Sequence, residues 1–200
     1  MNLLQLSDFL IHQQQKGVMK EKNCLAQTDL IQVFQLAELK RPLIRENSKP
    51  SIIYQYTGHE KIKIGQNDCF LSGGNLLYVA ENSSITFFPL KKGAIIVQMA
   101  LETTESLPQL LKKLQPTLLS TQTFMSQMIE QLDQQGYLFF DSKKTDDPAY
   151  IMERILCDYF DSVEFAGKTI LAKYDLLVIE LLRGRFAILS EEHFSKNHYT

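Results

Sequence analysis

The pattern of apolar and polar positions along these 200 residues changes character once, near residue 105. Strand rhythms come before it and helical rhythms after it. At the start, Leu3, Leu6 and Leu10 recur at helical spacing, which predicts an amphipathic arm or helix over Leu3 to Gln15. Leu30 to Leu39 reads equally as strand or helix. Arg41-Pro42 and Lys49-Pro50 punctuate loops. From Ser51 the strand signals sharpen. The run Ile52-Ile53-Tyr54-Gln55-Tyr56-Thr57 is β-branched and aromatic. Gly58-His59 reads as a turn, and Lys61-Ile62-Lys63-Ile64 alternates strictly. Gly65 to Asp68 is a turn cluster, Cys69 to Leu71 a short strand, and Ser72-Gly73-Gly74-Asn75 another turn. Leu76 to Val79, Ile85 to Phe88 and Ala94 to Leu101 complete the series. Short strands separated by polar or glycine turns predict an antiparallel sandwich or barrel rather than βαβ units.

The second half has the longer period. Leu107 to Leu114 and Thr117 to Gln134 carry helical patterns, and Tyr137 to Phe140 a strand. Asp147-Pro148 predicts a helix start, with Asp147 as the N-cap and Pro148 at the first helical position. That helix carries Ile151, Met152, Ile155, Leu156, Tyr159 and Phe160. A second begins after Gly167 and is predicted to end at Gly184, with Arg183 near its carbonyl end. It is apolar over a wide arc. Leu171, Val178 and Leu182 are assigned to a homodimer interface, the alternative being that both faces lie in one core. The predicted divisions are an arm or helix at 1–27, a β-barrel at 28–142, a helical dimerisation segment at 146–185, and a linker or tail at 186–200.

Composition narrows the function classes. Hydrophobic residues make up 44% and charged ones 22%, ordinary for a globular chain. Lys plus Arg number 21 against 23 acids, a net charge of −2. A chain that grips DNA by itself needs many clustered basic contacts, so no direct nucleic-acid contact is expected. Lys91-Lys92, Lys112-Lys113 and Lys143-Lys144 read as solvated turns or helix faces. Cys24, Cys69 and Cys157 are too few and too widely spaced for a disulfide framework, and read as buried thiols. No leader or membrane span is predicted, so the expected location is the cytoplasm.

Catalytic chemistry leaves little trace. There is no nucleophile elbow, phosphate loop, dinucleotide fingerprint or metalloprotease helix. His12, His59, His193 and His198 are scattered, and one barrel histidine cannot hold a metal. No metal, cofactor or catalytic residue is assigned, and the chain is read as a non-enzyme. A small barrel can still take one ligand. Tyr54, Tyr56, Tyr78 and Phe87 are the assigned ligand-binding residues for a small-molecule effector, since tyrosine offers an apolar face and a hydroxyl. Plain core packing is the alternative for the same residues.

The run Ile52 to Gly58, then Cys69 to Val79, resembles the strand and glycine pattern of AraC-type sensor cupins. Tyr137 to Phe140, Tyr150 to Phe160 and Ile170 to Arg183 resemble the paired helices that follow the cupin in many such regulators. The resemblance covers roughly residues 28–185. It implies an α+β fold: a cupin-like antiparallel β-barrel of jelly-roll type, then a helical dimerisation segment. It also implies effector sensing and homodimerisation. Asn75 stands where the family often has Asp, so neither ligand nor metal carries over. The family's basic domain of two helix-turn-helix units has no counterpart here. The chain is therefore expected to be a fragment cut before the DNA-binding half, or else a stand-alone sensor. A small metal-independent cupin enzyme and a stand-alone ligand-binding or interaction module are the rival readings.

Overall fold

The computed structural model describes residues 1–15, 21–23, 31–36, 41–89, 93–101, 119–161 and 166–196. Helix α1 spans Leu3–Gln15. Asn2 and Gln5 start it reciprocally: each side-chain oxygen accepts the other's backbone N–H, at 2.9 and 2.8 Å, which satisfies two otherwise orphaned donors.

Among the described residues ten strands follow: β1 Glu21–Asn23, β2 Ile31–Leu36, β3 Leu43–Asn47, β4 Ser51–Thr57, β5 His59–Ile64, β6 Asn67–Ser72, β7 Leu76–Val79, β8 Ser83–Phe87, β9 Ile95–Leu101 and β10 Tyr137–Phe140. Helix α2, Leu119–Gln135, precedes β10, and α3, Asp147–Asp161, and α4, Ala166–Lys196, end the described chain.

The strands form two antiparallel sheets. One has the order β1-β2-β9-β4-β7-β10 and the other β3-β8-β5-β6. Strands β2 to β9 thus switch sheets at every connection but the β5–β6 hairpin, in jelly-roll order, with β1 and β10 added at the edges. The predicted jelly-roll strand order is present, but neither sheet closes on itself, so the architecture is a two-sheet sandwich and not a closed barrel. Ten strands shared between two sheets leave each with its own edges.

Alternation explains how the layers fit. In β5, Ile62 and Ile64 point inward while Lys61 and Lys63 point out. The β5–β6 hairpin turns through Gly65 and Gln66, bringing Ile64 opposite Asn67. Gly65 takes φ +56°, which the first position of such a two-residue turn requires. Strand β4 has no wet face. Its burial runs unbroken from Ser51 to Tyr56, because the second sheet covers one side and the helices the other.

Helix α3 buries Ile151, Met152, Ile155, Leu156 and Tyr159, and α4 buries Ile170, Tyr174, Leu177, Val178, Leu181 and Leu182. Both stripes keep the 3.6-residue period and lie on the outer face of the six-stranded sheet. Helix α1 packs on α3 through Leu6 and Leu10, with the Phe9 and Phe160 rings 4.7 Å apart.

Several local expectations need correction. His59 begins β5 instead of closing a turn. Leu43–Asn47 is a strand between the two prolines that suggested only loops. The open stretch at 30–39 contains strand β2. The carbonyl that accepts the first bond of α3, from the Tyr150 N–H at 3.1 Å, belongs to Asp146. Asp146 is therefore the N-cap and Pro148 sits one position deeper than expected. Most consequentially, α4 does not end at Gly184. It runs on to Lys196, through most of the expected linker or tail. A glycine weakens a helix by about 1 kcal/mol relative to alanine, and the flanking Leu, Arg, Phe and Ala residues outweigh that. The predicted helix at Leu107 to Leu114, and Cys24, lie outside the described residues.

Candidate functional site

The assigned ligand-binding residues do not converge on one cavity. Phe87 lies between the sheets with Ile53, Ile62, Leu77, Ile85 and Ile96. Tyr54, Tyr56 and Tyr78 lie on the opposite face, among the helices. A one-residue change of register reverses every face, so alternation alone could not assign them. The sandwich interior at Phe87 is packed: Phe87, Ile53, Ile62, Leu77, Ile85 and Ile96 are all fully buried. Polar groups enter it at one end, where the Gln98 amide lies 3.3 Å from Ser51 Oγ and 3.4 Å from Asn47 Oδ1.

The tyrosine face has more chemistry. Tyr54 Oη donates to Glu153 Oε1 at 2.8 Å, tying β4 to α3. Burial pushes the Tyr54 hydroxyl well above its ordinary range, and the Glu153 carboxylate adds to this. Burial also raises Tyr56 and Tyr174. Lys144 Nζ sits 3.9 Å from the centre of the Tyr56 ring, so this lysine, read as a solvated turn residue, is a cation over an aromatic face. Between the sheets, burial pushes Tyr137 up to about 12, with Cys69 adding to the shift.

The loop joining β10 to α3 is clamped. Asn75 Nδ2 donates to Asp141 Oδ1 at 2.9 Å and to the Ser142 carbonyl at 3.1 Å, while Asn75 Oδ1 accepts the Ser72 N–H at 2.7 Å. An Asp at this position would have no N–H to offer and would face Asp141 with like charge. Gly74 lies beneath the same loop at φ +103°. A Cβ there would fall 2.4 Å from Lys144 N and 2.5 Å from Lys143 C, both backbone atoms. The Gly73-Gly74-Asn75 turn is thus the seat on which residues 141–146 rest.

This clamped loop forms one wall of an open cleft of about 670 Å³, and α4 forms the other. The floor is apolar, built from Phe139, Phe140, Pro148 and Leu181. The rim carries Asp141, Asp146, Asp147 and Glu180, the last paired with Arg183, and among the described residues no Lys, Arg or His lines the cleft itself. Beneath it, Phe140 and Leu181 also border a void of about 10 Å³ with Ile52, Tyr78, Val178 and Leu182. That void is no roomier than one water. Among the described residues no three His, Cys, Asp or Glu side chains converge to hold a metal ion. His59, the one histidine expected in the barrel, is exposed, with Nδ1 2.9 Å from Ser72 Oγ.

The stripe assigned to the dimer interface divides. Val178 and Leu182 pack on the chain's own sheet, and Leu171 is half-buried. The large apolar side chains that α4 exposes among its described residues are Leu176 and Ile179, on the opposite face. Sequence reasoning missed both these and the cleft. Asp146-Asp147 was legible only as a helix cap and Gly184 only as a helix end.

No family model matches the chain, and no curated protein matches it. Among solved structures, a conserved protein of unknown function from Streptococcus pyogenes, SPY1581, is similar at 10% identity. That likeness has a TM-score of 0.32 and covers 38% of this chain and 65% of that one. The EutQ protein of Clostridium difficile is similar at 19% identity and a TM-score of 0.30, over 36% of this chain and 54% of that one. A cupin superfamily protein from Desulfitobacterium hafniense is similar at 20% identity and a TM-score of 0.33, over 39% and 72%. The chain thus spans less than two thirds of the first two. Likenesses of this size do not assign a family. Among the described residues no helix is long and apolar enough to cross a membrane.

Proposed function

We propose that the chain is the sensing and dimerisation part of a transcription regulator of AraC type, a cupin-like sandwich whose last helix both joins two copies and passes on the state of the domain. The observation that carries this reading is the course of α4. Its first half is locked into the core by Ile170, Tyr174, Leu177 and Leu181, and the helix then continues unbroken to Lys196. Its outward face supplies Leu176 and Ile179 for a second copy. Asp175 and Arg183 stand four residues to either side of Ile179. An antiparallel pair of helices centred there sets each Asp175 opposite the partner's Arg183.

A reporter assay tests the reading. The chain is joined to a DNA-binding domain that represses only as a pair. Repression is expected, and its loss on replacing Leu176→Glu together with Ile179→Glu. A stably expressed fusion that never represses would sink the proposal. A second reading, a stand-alone interaction module without an effector, draws support from the packed sandwich interior. Repression that persists in the double variant would favour it, as would failure of every small molecule tested to raise the melting temperature.

A further inference from the structure

Gly184 is unexplained by the protein's own packing. It lies inside a helix, where alanine is favoured. Its backbone does not take the left-handed conformation, and a Cβ built on it would meet no atom of the described residues within 4 Å. Among the described residues, neither strain nor a close neighbour demands glycine. What its missing side chain does is keep open the wall of the cleft that it lines.

The cleft itself is of ligand size, about 670 Å³, and its floor is apolar. Three of its four carboxylates are tethered through one oxygen: Asp141 Oδ1 accepts from Asn75, Asp146 Oδ2 from the Lys143 N–H at 2.8 Å, and Glu180 Oε1 from the Arg183 guanidinium at 2.7 Å. The tethers fix the direction of those three, which is the preorganisation a charged ligand needs. Among the described residues no three acidic groups meet at metal-ligand distances, so the cleft is unsuited to a bare metal ion and suited to a larger, extended cation.

We infer that this cleft binds an organic ammonium ion with an apolar body, the ammonium set among Asp146, Asp147 and Glu180 and the body laid on Phe140 and Leu181 in the space that Gly184 leaves. Because Glu180, Leu181 and Gly184 belong to α4, Asp146 to the clamped loop and Asp147 to the first turn of α3, an occupant joins the two walls. Binding stands apart from the regulator reading; only its consequence for α4 rests on that reading.

Phenethylamine is the probe, with phenethyl alcohol as its uncharged analogue and hydrocinnamate as its anionic one. Titration of the whole chain at low salt, followed by amide chemical shifts, is expected to move resonances of residues 141–148 and 180–184. The alcohol should bind about tenfold more weakly, and hydrocinnamate not at all. Gly184→Ala should leave the melting temperature equal or higher, as helix propensity dictates, and weaken phenethylamine binding; Gly184→Leu should abolish it while the protein stays folded. Equal affinity for amine and alcohol, shifts that map elsewhere, or a folded Gly184→Leu variant that binds as well as the parent would each overturn the inference. Binding at the cleft in a chain that fails the reporter assay would keep this site and dismiss the regulator.

Discussion

The two faces of the six-stranded sheet are built from the same strands and do different things. The inner face presents Ile53, Leu77, Val79 and Ile96 to the second sheet, and the contact is mostly aliphatic, with Phe87, Phe139, Tyr137, Cys69 and a few amides. The outer face presents Tyr54, bonded to Glu153 of α3, Tyr56, whose ring lies beneath the Lys144 ammonium of the β10–α3 loop, and Tyr78, packed among the helices. The inner face is held by close packing, which is non-directional. The outer face is held by directed contacts as well, which tie down α3 and the loop that forms one wall of the cleft. The cleft thus lies outside the sandwich, where the polar ties are.

The sharpest test of that contrast is Gly74→Ala, which drives a methyl group into the backbone of Lys143 and Lys144 on the outer side. Equilibrium urea unfolding should show a loss of about 4 kcal/mol or more. A loss under about 1 kcal/mol would mean that the loop yields freely and is not clamped. On the inner side, Phe87→Ala should cost about 3–5 kcal/mol by the same measurement and leave phenethylamine binding unchanged. A change in binding would show that the two faces are coupled.

Smaller effects separate the outer contacts from one another. Asn75→Asp removes two donors and sets a second carboxylate beside Asp141, for a loss of about 1–3 kcal/mol at neutral pH. Tyr54→Phe loses one bond to a charged acceptor and should cost about 1.5 kcal/mol, with no change in fold by circular dichroism. At neutral pH the raised tyrosines cost nothing. Their protonated forms are favoured in the folded state over the unfolded one, whose tyrosines titrate near pH 10. Their stabilisation is therefore complete below about pH 10 and is lost as the pH climbs beyond it. Absorbance at the phenolate band should show Tyr54 and Tyr174 ionising only as the chain unfolds. Normal titration of every tyrosine in the folded protein would contradict the burial.

Much of the fold can be read from the chain because period and turn chemistry agree. Lys61-Ile62-Lys63-Ile64 alternates and is a half-wet strand; Ile155, Tyr159 and their neighbours keep helical spacing and form the buried stripe of α3. Sidedness is another matter. Strand β4 is apolar or neutral on both faces, so nothing in Ile52-Ile53-Tyr54-Gln55-Tyr56 tells which residues meet helices and which meet the other sheet. The same holds for Val178 and Leu182, whose apolar character suits a core as well as a second copy. The cleft was illegible for a different reason. Its walls come from residues 139–148 and 180–184, and only the docking of α4 beside the loop makes them neighbours.

The unbroken course of α4 has a mechanical consequence. At 1.5 Å per residue its 31 residues make a rod of about 46 Å, and some 18 Å of that lies beyond Gly184. A bend of about 10° at Gly184 swings Lys196 through about 3 Å, close to the reach of a hydrogen bond, while the half held by Tyr174 and Leu177 stays in place. A change confined to the cleft wall thus reaches the far end of the helix as a displacement, with no repacking of the core.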